Sequence, residues 1–144
     1  MILIDINVVM DVVQKREPHA PHSAVVIERV VRGELDAMIP GHAITTLDYL
    51  LTRHAGRAFA KRQLEWMLRC FEIGSLDKQG FRLAHSMGWP DFEDAVVAVT
   101  AQHFGCTAIV TRDLSGFAAS RVPAMHPREL DIDSIHEQIV AAYG

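Results

Sequence analysis

The amino-acid sequence predicts an α/β domain with a parallel sheet covered by helices on both faces. Three observations carry that expectation. Short, continuously apolar runs alternate with helical patterns along the chain, as they do where strands are buried on both sides. Two of these runs, near residues 2–5 and 107–110, lead into carboxylate-bearing segments at Asp5 and at Thr111-Arg112-Asp113. The stretch 95–101 is apolar almost all round, the pattern of a helix enclosed by other layers.

Taken in order, Ile2-Leu3-Ile4-Asp5 is the first strand, and Val8, Val9, Val12 and Val13 then recur on one helical face. Glu17-Pro18 interrupts the chain. A second amphipathic helix spans Ser23 to Arg32, with Ala24, Ile27 and Val31 on one stripe and Gly33 as its stop. Residues 36–39, closed by Pro40-Gly41, predict the second strand, and Ile44, Leu47, Leu50 and Leu51 mark a helix over 42–54. A helix over 57–69, a strand over 71–76 and a short helix over 78–87 follow, ended by Gly88-Trp89-Pro90. The enclosed helix runs from Asp91 to Phe104 and stops at Gly105. Beyond it lie a strand at 107–110, a turn at 114–117 and a last short strand near 122–126.

A length of 144 residues suits one domain, 1–144, and no repeat or linker divides it. With 49% hydrophobic and 22% charged residues the chain is neither disordered nor collagen-like. No apolar run approaches the ~20 residues of a membrane span, and the opening MILID meets a charge at once, so a cytoplasmic chain without membrane association is expected. Cys70 and Cys106 fall in no metal or redox motif and read as buried thiols. A net charge of −4 argues against coating nucleic acid by bulk electrostatics and leaves room for a local basic patch.

The chemistry lies in the acids. Asp5 and Asp113 stand at the expected carboxyl ends of two strands, and Asp94 lies in the first turn of the enclosed helix that leads into the second of them. In open parallel sheets ligands bind beyond those strand ends. Each aspartate alone has an ordinary use as a turn or helix cap, and Asp91, just after Pro90, is the best cap candidate. Three acids on one edge would raise one another's pKa unless a cation lay between them. Without His or Cys at ligand spacing nearby, an oxygen-only set points to Mg²⁺ or Mn²⁺ and to metal-assisted hydrolysis of a phosphate ester.

The blocks Asp5-Ile6-Asn7-Val8, Asp91-Phe92-Glu93-Asp94-Ala95-Val96 and Ile109-Val110-Thr111-Arg112-Asp113, with Phe117 just beyond, resemble a PIN domain of the VapC-type toxin nucleases. The likeness covers nearly the whole chain, including a short carboxyl-terminal strand and helix. It implies a three-layer α/β/α fold with about five short parallel strands, a Mg²⁺- or Mn²⁺-dependent endoribonuclease, inhibition by a cognate antitoxin, and a homodimer. It also implies roles: Asp5 and Asp94 as metal ligands, Asp113 as a third acid, Asn7 bracing the Asp5 loop and Thr111 orienting the site. Two departures stand out. Thr46 occupies the place of a common Glu, and Gly116 a place where many relatives carry an acid, so the site reads as acid-poor with Asp91 as a compensating carboxylate.

Arg53, Arg57, Lys61, Arg62 and Arg69 face a single acid, Glu65, within 51–70. Arg57 and Lys61, one turn apart, and Arg112 are the candidate RNA phosphate contacts; a solvated helix face or an antitoxin-docking surface are the other uses of such a patch. The eight histidines show no ligand spacing and read as surface or structural groups. Trp66, Met67 and Phe71 read as core or a dimer face. The readings competing with a nuclease are a catalytically degenerate scaffold that binds RNA or an antitoxin, and a haloacid dehalogenase-type phosphatase, against which Asn7 replaces the second acid of an Asp-x-Asp motif.

Overall fold

Side-chain alternation along very short strands sets the layers. The structure, a computed structural model, describes residues 1–130 and 140–143. The strands β1 (Ile2–Ile4), β2 (Ala37–Pro40), β3 (Glu72–Gly74), β4 (Ile109–Val110) and β5 (Ala124–Met125) form one all-parallel sheet in the order β3-β2-β1-β4-β5. Ile2, Ile4, Ile39 and Val110 point into one core, whereas Leu3, Met38 and Ile109 point into another on the opposite face. On the first face lie α1 (Ile6–Val13), α2 (Ala20–Val31), α3 (Ile44–Ala55) and α4 (Arg57–Cys70), which bring Val9, Val26, Leu47, Leu51 and Met67 to it. On the second lies α6 (Phe92–His103), through Val97, Ala98 and Ala101, with α5 (Lys78–Ser86) packed against it.

The α/β fold with its five parallel strands is as expected, and the differences are local. Helix α2 begins at Ala20, ahead of Ser23, because Pro21 falls in the first turn, where its missing N–H leaves no hydrogen bond unmade. The strands are shorter than the apolar runs that signal them: of 71–76 only Glu72–Gly74 pairs, and of 107–110 only Ile109–Val110. Helix α6 is capped by Asp91, whose Oδ1 accepts from the Asp94 N–H at 3.1 Å, and every residue from Ala95 to Ala101 is buried. Gly105, at φ +70°, releases the chain toward β4. Residues 127–130 and 140–143 are helical, and the carboxyl-terminal helix that the resemblance implies lies otherwise outside the described residues. Among the described residues no helix is long and apolar enough to cross a membrane.

The chain runs outward from β1 to β3 and then returns to the other side of β1 for β4, so the topological switch lies between β1 and β4. One buried ion pair locks the elements flanking it. Asp11 of α1 is fully enclosed, meets Arg112 Nε at 2.6 Å and accepts from Ser23 Oγ at 3.4 Å. Asp11→Asn keeps the shape and removes the charge; urea denaturation is expected to show a loss of about 1–2 kcal/mol, below the usual figure for a buried pair because the Arg112 side chain keeps some solvent contact.

Candidate active site at the β1–β4 switch point

Asp5 follows β1 directly and also stands as the residue before α1, so its carboxylate is fixed at the carboxyl edge of the central strand. It is buried. The Thr111 hydroxyl donates to its Oδ2 at 2.9 Å and the Asn7 amide at 3.2 Å. Thr111, the first residue after β4, uses the same oxygen to accept the Asp113 N–H at 3.1 Å, which ties the Asp113 loop to Asp5. Asp113 in turn accepts at Oδ1 from Ser115 Oγ at 3.0 Å and from the Gly116 N–H at 3.2 Å. Its Oδ2 is turned toward Asp94. A Cβ built on Gly116 would stand 2.6 Å from Asp113 Oδ2 and 2.7 Å from Asp94 Oδ2, so the two carboxylates meet across a residue that has no side chain.

The electrostatics follow from this crowding. Partial burial, then the charges of Asp91, Asp5, Asp113 and Glu93, raise the Asp94 carboxyl to about 6. Burial raises Asp5 as well, with Glu93 and Asp113 adding to it, while the Thr111 hydroxyl and the Ile6 N–H act in the opposite sense. Perturbed acids gathered at one sheet edge make that edge the candidate functional site.

Of the residues expected at the site, the structure brings Asp5, Asn7, Asp94, Thr111 and Asp113 to one edge. Asp91 serves as the α6 cap and adds its charge to Asp94. Thr46 lies exposed in the first turn of α3. Arg112 is turned to Asp11, which commits its Nε within the protein. Arg57 and Lys61 lie on the exposed face of α4. Two further groups belong here. Glu93, exposed in the first turn of α6, adds its charge to both Asp5 and Asp94. His42, in a turn of 3-10 helix over Gly41–Ala43 after β2, feels the charge of Asp5; its signal in the sequence was its place at the end of a strand run.

Among the described residues no three His, Cys, Asp or Glu side chains stand at metal-ligand spacing. Asp5, Asp94 and Asp113 reach the one sheet edge expected of them, with Asp94 Oδ2 and Asp113 Oδ2 both beside Gly116 and Asp113 Oδ1 taken by its own loop. The donors still fit a hard divalent cation. Asp94 and Asp113 share the space above Gly116, and the Asn7 Oδ1 is enclosed without a hydrogen-bond partner. Grooves also run along α5 and α6, lined by Leu83, Val99 and Gln102; the acids outweigh them as a candidate site because concavity alone supplies no chemistry.

Fold and site together define a doubly wound α/β domain with a cluster of acids at its switch point. The family model described as a PIN domain matches residues 1–115, and the chain belongs to that family. Solved structures share the fold at low identity. FitAcB from Neisseria gonorrhoeae is 20% identical over 88% of this chain and 98% of that one, with a TM-score of 0.64. VapBC2 from Rickettsia felis, bound to a DNA fragment from its promoter, is 14% identical over 88% and 98%, with a TM-score of 0.66. The VapC20 toxin of Mycobacterium tuberculosis, described as cleaving the sarcin-ricin loop, is 15% identical over 83% and 95%, also at 0.66. No curated protein matches significantly.

Proposed function

We propose that the protein is a divalent-metal-dependent endoribonuclease and the toxin of a toxin–antitoxin pair. The observation that carries this reading is the set of acids at the β1–β4 switch, with Asp94 raised to about 6 by burial and by four carboxylates around it. Family membership supports a nuclease, and structural neighbours that include toxin–antitoxin complexes support an antitoxin partner. A homodimer is part of the reading that the family resemblance brings.

Asp5, Asp94 and Asp113 would hold Mg²⁺ or Mn²⁺, which supplies Lewis acidity and a bound water of lowered pKa. The Thr111 hydroxyl and the Asn7 amide keep Asp5 oriented, and the Ser115 hydroxyl and the Gly116 N–H keep Asp113 turned toward Asp94. No side chain need serve as a covalent nucleophile. RNA cleavage is expected with Mn²⁺ present and none in EDTA; cleavage that survives EDTA overturns the reading.

A second reading, a scaffold that binds RNA or an antitoxin without cutting, draws on the absence of a complete ligand set among the described residues and on Thr46. Calorimetric titration separates the two. Mn²⁺ binding abolished by Asp5→Ala marks a competent site, and no binding at all marks the scaffold.

Arg57 and Lys61 supply phosphate contacts in this proposal. Replacing both with Ala is expected to flatten the salt dependence of RNA affinity by about 1.4 in log–log slope, at roughly 0.7 per single-strand phosphate contact. Anisotropy titrations in EDTA read this without turnover. An unchanged slope assigns the patch to solvent or to the antitoxin.

A further inference from the structure

His42 stands at the same carboxyl edge as Asp5. The β1–β2 register pairs Leu3 with Met38, which sets Asp5 level with Pro40 and His42 two residues beyond it. Its Nε2 is enclosed and has no hydrogen-bond partner. Leaving a buried polar atom unpaired costs about 1–3 kcal/mol, and native folds retain such atoms chiefly where a ligand, ion or water completes them. Burial lowers the pKa of the imidazole, the charge of Asp5 acts in the opposite sense, and neutral imidazole is the form in which histidine binds metal.

We propose that His42 gives a nitrogen ligand to the divalent cation of the acidic site, an inference that rests on the metal-nuclease reading above. It makes the donor set mixed rather than all-oxygen. A mixed set favours Mn²⁺ over Mg²⁺, because Mg²⁺ takes oxygen ligands in a near-ideal octahedron, whereas imidazole binds later divalent metals more readily. Among the described residues no three ligating side chains already stand at coordination spacing, so the proposal requires the His42 ring to turn toward the acids.

Pulsed EPR of Mn²⁺ bound to the full chain reads nitrogen ligation directly. The expected spectrum carries ¹⁴N modulation that converts to the ¹⁵N pattern when the protein is grown with ¹⁵N-histidine, a test that needs no substitution. In His42→Gln the modulation is lost and calorimetric Mn²⁺ affinity falls about tenfold or more, with a smaller loss for Mg²⁺. Mn²⁺ binding that depends on Asp94 yet shows no histidine nitrogen overturns this inference and leaves the acidic site standing. A chain that binds no Mn²⁺ overturns both, and histidine modulation that persists in His42→Gln assigns the nitrogen to another residue and overturns the choice of His42.

Discussion

Asp94→Asn is expected to abolish RNA cleavage, by about a thousand-fold or more, and to raise the melting temperature of the metal-free protein. The first effect removes a ligand charge from a site whose chemistry depends on several kcal/mol of metal-assisted stabilisation. The second follows from the raised pKa. A carboxyl at about 6 in the folded chain and 3.8 in the unfolded chain favours folding in its protonated form. Its contribution is complete below pH about 4 and is lost as the pH rises through 6. At pH 7 the ionised Asp94 therefore opposes the fold, and a neutral amide of the same shape relieves it. Asp94 keeps partial contact with solvent, so screening trims the gain to about 1 kcal/mol, or roughly 2–4 °C. Thermal melts at pH 4.5 and 7.5 check the sign: wild type and variant should converge at the lower pH and separate at the higher. A variant that melts below wild type at pH 7.5 shows that Asp94 is held by favourable contacts, and the crowding that motivates the nuclease proposal is then absent.

The same residue shows what could be read from the sequence. Periodicity separates Asp94 from Asp91, since the residue after Pro90 is the natural cap and the next acids lie inside the first turn; the structure gives Asp91 that hydrogen bond. Alternating apolar runs gave the layers because a strand buried on both faces leaves no polar register, which is why Leu3 and Ile4 enter opposite cores. Those runs also overstate strand length, because the sheet stops where pairing partners run out, and apolar residues continue into the loops. Pair geometry was out of reach. Arg112 is the nearest basic residue to Asp113 in sequence, yet the chain turns its guanidinium to Asp11, about one hundred positions away, and only the fold reveals that commitment. His42 carries no ligand spacing, so its place at the end of a strand run gains meaning only once the β1–β2 pairing sets it beside the Asp5 edge.

Gly116→Ala is expected to lower Mn²⁺ affinity and RNA cleavage on the order of a hundredfold while leaving the fold intact, the upper range for disturbing groups that orient metal ligands. In sequence this glycine reads as a missing acid. In the structure it is the floor between two acids, and the clash a Cβ would make is with both carboxylates at once. Its backbone does not lie in the left-handed region, so an alanine adopts the same conformation without strain, and the substitution tests contact alone. The atoms in the way are the ends of side chains. They swing aside at little cost in stability, and in doing so Asp113 Oδ2 and Asp94 Oδ2 lose the shared space in which an ion would touch both. Gly116→Asp carries the same Cβ, so an acid placed here displaces the existing pair before it contributes a charge of its own, and it is expected to bind Mn²⁺ less tightly than wild type. Calorimetry on both variants, with circular dichroism as the control for folding, decides the matter. Wild-type affinity in Gly116→Ala means the ion does not sit between Asp94 and Asp113, whereas tighter binding in Gly116→Asp means the position is a vacant ligand site after all.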